Sequence, residues 1–159
     1  RQIALFILVD RYKKEPENIF NFYLNNSKRI NNWDLVDSSA HYILGDFLFD
    51  KDKSILYELA ESENLWERRI AIVSTWILIR RNHLETTLEI AKKLLEDEHD
   101  LIHKAVGWML REVGKKEQEV LRDFLRKHYK NIPRTTLRYA IEKFEEDERK
   151  KWLRGEINL

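Results

Sequence analysis

Four short apolar motifs, each centred on an alanine, recur along this chain at nearly constant spacing. The intervals between the alanines are 31, 34 and 35 residues, and the motifs are SSAHYIL (Ala40), RIAIVS (Ala71), HKAVGW (Ala105) and RYAIEK (Ala140). A period of this size, with one helix pair per unit, is typical of an α-solenoid, in which each pair buries its apolar face against its neighbours. The drift in the period favours degenerate HEAT-like units over a strict consensus array.

Apolar residues recur at helical spacing along the whole chain, and they predict about ten helices and no strand. Only 4 glycines and 2 prolines interrupt 159 residues, too few for the dense turns of a β-sandwich or barrel. We expect an all-α fold, a right-handed α-α superhelix (solenoid) of HEAT-like helix pairs, as a single domain over residues 1–159. The predicted helices lie near 2–13, 17–26, 33–48, 54–62, 65–81, 84–96, 100–113, 117–130, 133–144 and 146–153.

The composition limits the compartment and the partners of the chain. It contains no cysteine, which excludes disulfides and thiolate zinc sites and favours a reducing, cytoplasmic location.

The apolar run over residues 3–9 has no cap before it, so we expect an N-terminal part of the domain to be missing. Residues 104–159 carry 15 Lys and Arg against 10 Asp and Glu. This basic third suits a polyanion, although an ordinary solvated surface explains it equally well.

Trp33 and Asp37 stand four residues apart and therefore on one face of a predicted helix. An aromatic face beside a carboxylate would stabilise a developing carbocation. The alternative is an ordinary helix start, with Asn32 as the cap and Asp34 and Asp37 favoured by the helix dipole.

Further cationic residues lie on the equivalent helices of the next repeats. Arg68 or Arg69 could pair with Asp37 or hold a phosphate, or could be an ordinary surface arginine. Lys104, Trp108 and Arg111 share one helix face, which suits a sugar or base flanked by phosphates. Trp108 could instead fill the core between repeats.

The start of the last repeat, from Pro133 to Arg138, combines a helix N-terminus, two threonine hydroxyls and the arginines Arg134 and Arg138. Such a convergence predicts a phosphate-binding site. His99 and His103 stand four apart but lack a third ligand, and we expect no metal and no cofactor. The absence of a glycine-rich phosphate loop and of a Ser-His-Asp or Cys-His arrangement argues against phosphoryl transfer and covalent acyl chemistry.

Four segments, in order along nearly the whole chain, resemble the bacterial DNA alkylation repair family, the AlkD-type HEAT-like alkylpurine DNA glycosylases. They are NNWDLVDSSAHYILGDFL, LWERRIAIVSTW, DLIHKAVGWMLREVGKK and PRTTLRYAIEKF. The resemblance implies catalytic roles for Asp37, Trp33, Arg69 and Trp108, with Arg68 as the competing choice for the arginine. It also implies backbone contacts by Arg111 and Arg134.

The activity that this resemblance implies is base excision repair of DNA. The enzyme would hydrolyse the N-glycosidic bond of cationic N3- and N7-alkylated purines in double-stranded DNA, without a deep base-flipping pocket and as a monomer. Lys104, Arg68 and Arg138 complete the predicted DNA-binding set. Two alternatives remain, namely a noncatalytic clamp on damaged duplex and a HEAT-type protein-interaction scaffold.

Overall fold

A computed structural model describes residues 1–157 of the chain. Within that part it contains α-helices, one 3-10 turn (Ser27–Arg29), one π-helix (His41–Gly45) and no strand, which confirms the all-α prediction. None of its helices is long and apolar enough to span a membrane. The α-helices are α1 (Gln2–Tyr12), α2 (Pro16–Asn25), α3 (Trp33–Asp37), α4 (Ser54–Ala60), α5 (Leu65–Ser74), α6 (Trp76–Arg80), α7 (Glu85–Leu94), α8 (Asp100–Lys116), α9 (Gln118–His128), α10 (Arg134–Ala140) and α11 (Glu146–Arg154).

Side-chain caps determine where three of the four alanine-bearing segments begin. Asn32 accepts a hydrogen bond at 2.9 Å from the backbone N–H of the next residue, which confirms it as the predicted cap. Asn64 accepts from two N–H groups at the start of α5, at 2.8 and 3.3 Å. His99 accepts through Nδ1 at the start of α8, at 3.2 Å. Each cap accepts hydrogen bonds from backbone N–H groups that a helix start otherwise leaves unpaired. The capping residue therefore determines where each helix begins.

Two predicted helices are divided in the structure by hydroxyl side chains. In the helix predicted over 33–48, the hydroxyl of Ser39 donates to the carbonyl four residues earlier at 2.6 Å, and the π-helix follows. In the helix predicted over 65–81, Thr75 donates to the carbonyl three residues earlier at 2.7 Å, between α5 and α6. Such bonds compete with the regular backbone hydrogen bonds of the helix and bend the helix. The spacing of apolar residues does not reveal these interruptions.

The four alanine-bearing segments are residues 33–45, which contain α3 and the π-helix, and the helices α5, α8 and α10. They pack against one another in chain order. Helix α3 contacts α5, α5 contacts α8, and α8 contacts α10. All four alanines are buried. The approach is close at Gly107, where an added Cβ would lie 2.5 Å from the Cβ of Tyr139 and 2.8 Å from the carbonyl oxygen of Thr136. Helix α10 therefore lies directly on the backbone of α8.

Ion pairs one repeat apart connect the same segments. Each joins an arginine to a carboxylate 31 to 35 residues away, and the pairs are Arg69–Asp37, Arg81–Asp46 and Arg111–Glu142. Their spacing equals the period of the alanine motifs. The order of the contacts is what stacked repeats require, while the superhelical path and its hand stay predictions.

Candidate functional site

The alanine-bearing segments enclose one open groove of about 330 Å³, which we call the groove. Its lining comes from α3, α5, α8 and α10 and consists of Trp33, Asp37, Arg69, Leu101, Lys104, Trp108, Arg111 and Tyr139. The structure thus brings together all four residues predicted as catalytic, with two of the five predicted DNA contacts. Sequence reasoning missed Tyr139, although it stands beside Ala140 in the last alanine motif.

A bidentate ion pair in the groove joins Arg69 to Asp37. The guanidinium donates from Nε to Oδ1 at 2.9 Å and from Nη2 to Oδ2 at 2.8 Å, while Nη1 donates to the backbone carbonyl of Leu101. The arginine side chain is 7% exposed and the aspartate side chain 19%. A bidentate pair of this kind fixes the plane of the carboxylate, and the partial exposure leaves Asp37 accessible from the groove.

A buried hydroxyl chain lies behind α3. Ser39 donates to the carbonyl of Leu35, so the hydroxyl of Tyr23, 2.8 Å from the Ser39 oxygen, acts as the donor to Ser39. Burial raises the pKa of the Tyr23 phenol, and the negative charge of Asp37 raises it further. The phenol therefore stays protonated and holds α3, and with it Asp37, against the core.

Three aromatic side chains line the groove without pairing with one another. Trp33 is 54% exposed, and Trp108 and Tyr139 are half-buried. Among residues 1–157, no aromatic ring pair includes any of the three, whereas Trp76 pairs with His41 and Trp152 with Tyr129. Their rings are thus available to a sugar, a base or a cationic group in the groove.

The structure separates the two neighbouring arginines of α5. Arg68 turns away from the groove and donates from Nε to Asp97 at 2.6 Å and from Nη1 to the carbonyls of Ser62 and Glu63, each at 3.0 Å. Arg69 is therefore the arginine that contacts Asp37. A DNA contact by Arg68 stays a prediction, and it would require the guanidinium to leave these partners.

Both predicted DNA contacts inside the groove have acidic neighbours. Lys104 lies 3.2 Å from Asp100, one turn earlier in α8, and its hydrogen bond holds the pKa of that carboxyl below its usual range. Arg111 pairs with Glu142 and has Glu112 4.0 Å from its Nε, which is buried and makes no hydrogen bond. Neither cation is free of a carboxylate, so a phosphate must compete with these partners.

The start of α10 differs from the predicted phosphate site. The hydroxyls of Thr135 and Thr136 donate, each at 3.1 Å, to acceptors in the first turn of α8, so a phosphate here would have to compete with these acceptors. Arg134 donates to a backbone carbonyl of α11 at 2.6 Å, and Arg138 is exposed. Neither arginine lines the groove, and their contacts with DNA stay predictions.

The two spaced histidines have other partners. His99 caps α8, and a ring nitrogen of His103 is hydrogen-bonded to the carbonyl of Asp97. In residues 1–157, no group of three or more His, Cys, Asp or Glu side chains is arranged to hold a metal ion.

Comparison with known proteins identifies the family. Neither the curated proteins nor the solved structures include a significant match. A family described as DNA alkylation repair enzyme matches residues 1–144, a range that contains every residue of the groove. The match covers most of the 159 residues, and the chain therefore belongs to the DNA alkylation repair enzyme family.

Proposed function

We propose that the chain is a monofunctional alkylpurine DNA glycosylase of base excision repair. Its substrates would be cationic N3- and N7-alkylated purines in double-stranded DNA, and its reaction the hydrolysis of their N-glycosidic bond. Family membership indicates a DNA repair enzyme. The observation that supports this particular reaction is the gathering of a partly exposed carboxylate, Asp37, and two unpaired indole rings, Trp33 and Trp108, around one open groove.

The proposed reaction needs little acid catalysis, because an alkylated purine already carries a positive charge. When the bond between C1′ and the base nitrogen breaks, its electron pair moves to the base, which leaves neutral. Positive charge then develops on the deoxyribose, and the carboxylate of Asp37 stabilises it. Water adds to C1′ and gives its proton to Asp37, which later releases it to solvent.

The shape of the groove fits a reaction in which the base is not read. It is an open depression of about 330 Å³, and Trp33 is half-exposed at its edge. The indole rings of Trp33 and Trp108 would pack against the deoxyribose and the adjoining backbone. Selectivity then comes from the lability of the cationic lesion, in contrast to glycosylases that extrude the base into a deep pocket.

Arg69 acts through Asp37 in this scheme. Its Nε and Nη2 donate to Asp37 and its Nη1 to Leu101, so its hydrogen bonds orient the carboxylate. Lys104, whose side chain is 42% exposed, is better placed to hold a flanking phosphate. In this scheme, Arg69 orients Asp37, and the more exposed Lys104 contacts the DNA backbone.

The deciding experiment is release of 7-methylguanine from methylated duplex DNA by the wild-type chain and by Asp37→Asn. Asp34→Asn is the matched control, because it makes the same change on the same helix at a residue that does not line the groove. Wild type and the control should release base, and Asp37→Asn should not. A wild type that releases nothing, or an Asp37→Asn variant as fast as wild type, refutes the proposed chemistry.

One observation favours a second candidate, a noncatalytic member that clamps damaged duplex. Both oxygens of Asp37 accept hydrogen bonds from Arg69, so its charge is already partly compensated. A clamp would bind DNA with an affinity that falls with salt but would release no base. A protein-interaction scaffold would show no salt-dependent DNA affinity.

The architectural part of the proposal is a right-handed superhelix of HEAT-like helix pairs. It would form one domain over residues 1–159 and act as a monomer on DNA in the cytoplasm. The chain-order contacts from α3 to α10 support it, because stacked helix pairs bury their apolar faces against the pairs next to them.

A further inference from the structure

Tyr139 is held at the groove by the close approach of α10 to the backbone of α8 at Gly107. Gly107 leaves room for the Cβ of Tyr139, which would lie 2.5 Å from an alanine Cβ at that position. The next residue of α8 is Trp108, and both aromatic side chains line the groove. The position of the Tyr139 side chain is thus determined by helix packing and does not depend on a contact of its own hydroxyl.

The hydroxyl of Tyr139 differs from most tyrosine hydroxyls in this protein. Of the 6 tyrosines, four have a hydrogen-bond partner, namely Tyr12 with Asp46, Tyr23 with Ser39, Tyr57 with Glu89 and Tyr129 with the carbonyl of Trp152. Within residues 1–157, Tyr139 and Tyr42 make no such bond. Of these two, Tyr139 alone lines the groove. A tyrosine with an uncommitted hydroxyl therefore shares the groove lining with two cations, Lys104 and Arg111.

We infer that Tyr139 is a DNA-backbone contact of the groove, whose hydroxyl donates a hydrogen bond to a phosphodiester oxygen while its ring packs beside Trp108. The inference rests on the proposed DNA-binding function. A phosphate is the ligand that the surroundings favour, because Lys104 and Arg111 attract an anion and a phenol hydroxyl donates to it. Because the tyrosine hydroxyl carries no charge, the salt dependence of DNA affinity can distinguish its contact from those of Lys104 and Arg111.

The test is Tyr139→Phe, which removes the hydroxyl and keeps both the ring and the packing of the Cβ on Gly107. Binding to a fluorescently labelled duplex is measured by anisotropy at several salt concentrations. We expect affinity to fall about 3- to 10-fold at every salt concentration. The slope of log affinity against log salt should not change, because a neutral donor releases no counterion. The melting temperature should also stay at the wild-type value.

Tyr42→Phe is the matched control, since it removes an equally unpartnered hydroxyl outside the groove. It should bind DNA like wild type. The inference is overturned if Tyr139→Phe keeps wild-type affinity, if Tyr42→Phe loses as much, or if the loss comes with a changed salt slope or a lower melting temperature. A wild-type chain without salt-dependent DNA binding would instead refute the proposed function itself, and this inference with it.

Discussion

At the scale of single residues, Glu142 is the carboxylate that would compete with a DNA phosphate for Arg111. It follows α10, pairs with Arg111 of α8 and is 46% exposed, so it would compete with a phosphate for the same guanidinium. Replacing Glu142 by Gln should increase affinity for duplex DNA about 3- to 10-fold, because Arg111 is released to the groove. Anisotropy titrations at fixed salt measure this change.

A matched control separates this local effect from a change of net charge. Glu61→Gln makes the same charge change at an exposed carboxylate that pairs with Lys93, away from the groove. It should increase affinity much less. Weaker binding by Glu142→Gln would show that Glu142 positions Arg111 for DNA, and an equal gain in both variants would show that only net charge matters.

Arg69→Lys tests the orientation of Asp37. A lysine keeps the charge but cannot make two parallel hydrogen bonds to one carboxylate, so the plane of Asp37 is no longer fixed. Base release under single-turnover conditions should fall at least about tenfold, with duplex affinity changed less than about twofold. Arg68→Lys is the control on the adjacent residue. An equal loss in Arg68→Lys would contradict the choice of Arg69.

At the scale of elements, the sequence predicts most of the helices but not their interruptions. Caps such as Asn32 and the apolar period are local signals, and the structure confirms both. The divisions at Ser39 and Thr75 depend on hydroxyl hydrogen bonds to backbone carbonyls, which compete with the helical ladder only in particular rotamers. Spacing placed Asp37 on a helix face, but it could not show which neighbouring arginine faces it.

Tyr139 was missed for a related reason. Its place beside Ala140 in the last alanine motif does not show that it lines the groove, because that depends on the absence of a side chain at Gly107, 32 residues earlier. Contacts between repeats of this kind are long-range in sequence, and a single sequence carries no direct signal for them. The same holds for the pair formed by Arg111 and Glu142.

The packing of α10 on α8 should therefore be sensitive to Gly107→Ala. The new methyl group would lie 2.8 Å from the backbone carbonyl of Thr136, and it can be accommodated only by moving α10. We expect a loss of about 1–3 kcal/mol in the free energy of unfolding, measured by urea denaturation. Gly114→Ala is the control, because its methyl group meets only side-chain atoms of Leu121, of which the terminal Cδ2 is the nearest at 2.5 Å, and no backbone atom of another helix. Equal losses in both variants would contradict this interpretation.

At the scale of the whole molecule, stability should depend on pH through His41. This residue is 7% exposed, its Nδ1 has no hydrogen-bond partner, and its ring centroid lies 4.8 Å from that of Trp76 in α6. Burial lowers the pKa of His41 to about 4. The unfolded chain binds this proton near pH 6.5, with the usual histidine pKa, so protonation favours unfolding.

Above about pH 6.5, His41 is neutral in both the folded and the unfolded chain and does not lower the free energy of unfolding. As the pH falls from about 6.5 towards about 4, the free energy of unfolding should decrease by up to roughly 3 kcal/mol through this residue. Urea denaturation of wild type and His41→Leu at a series of pH values measures it as the difference between two curves. The pKa of His128 is also lowered, but that residue is present in both proteins, so its contribution cancels. The wild-type free energy of unfolding should decline more steeply between these limits than that of His41→Leu. Parallel curves would show that His41 accepts its proton equally well in the folded and unfolded states.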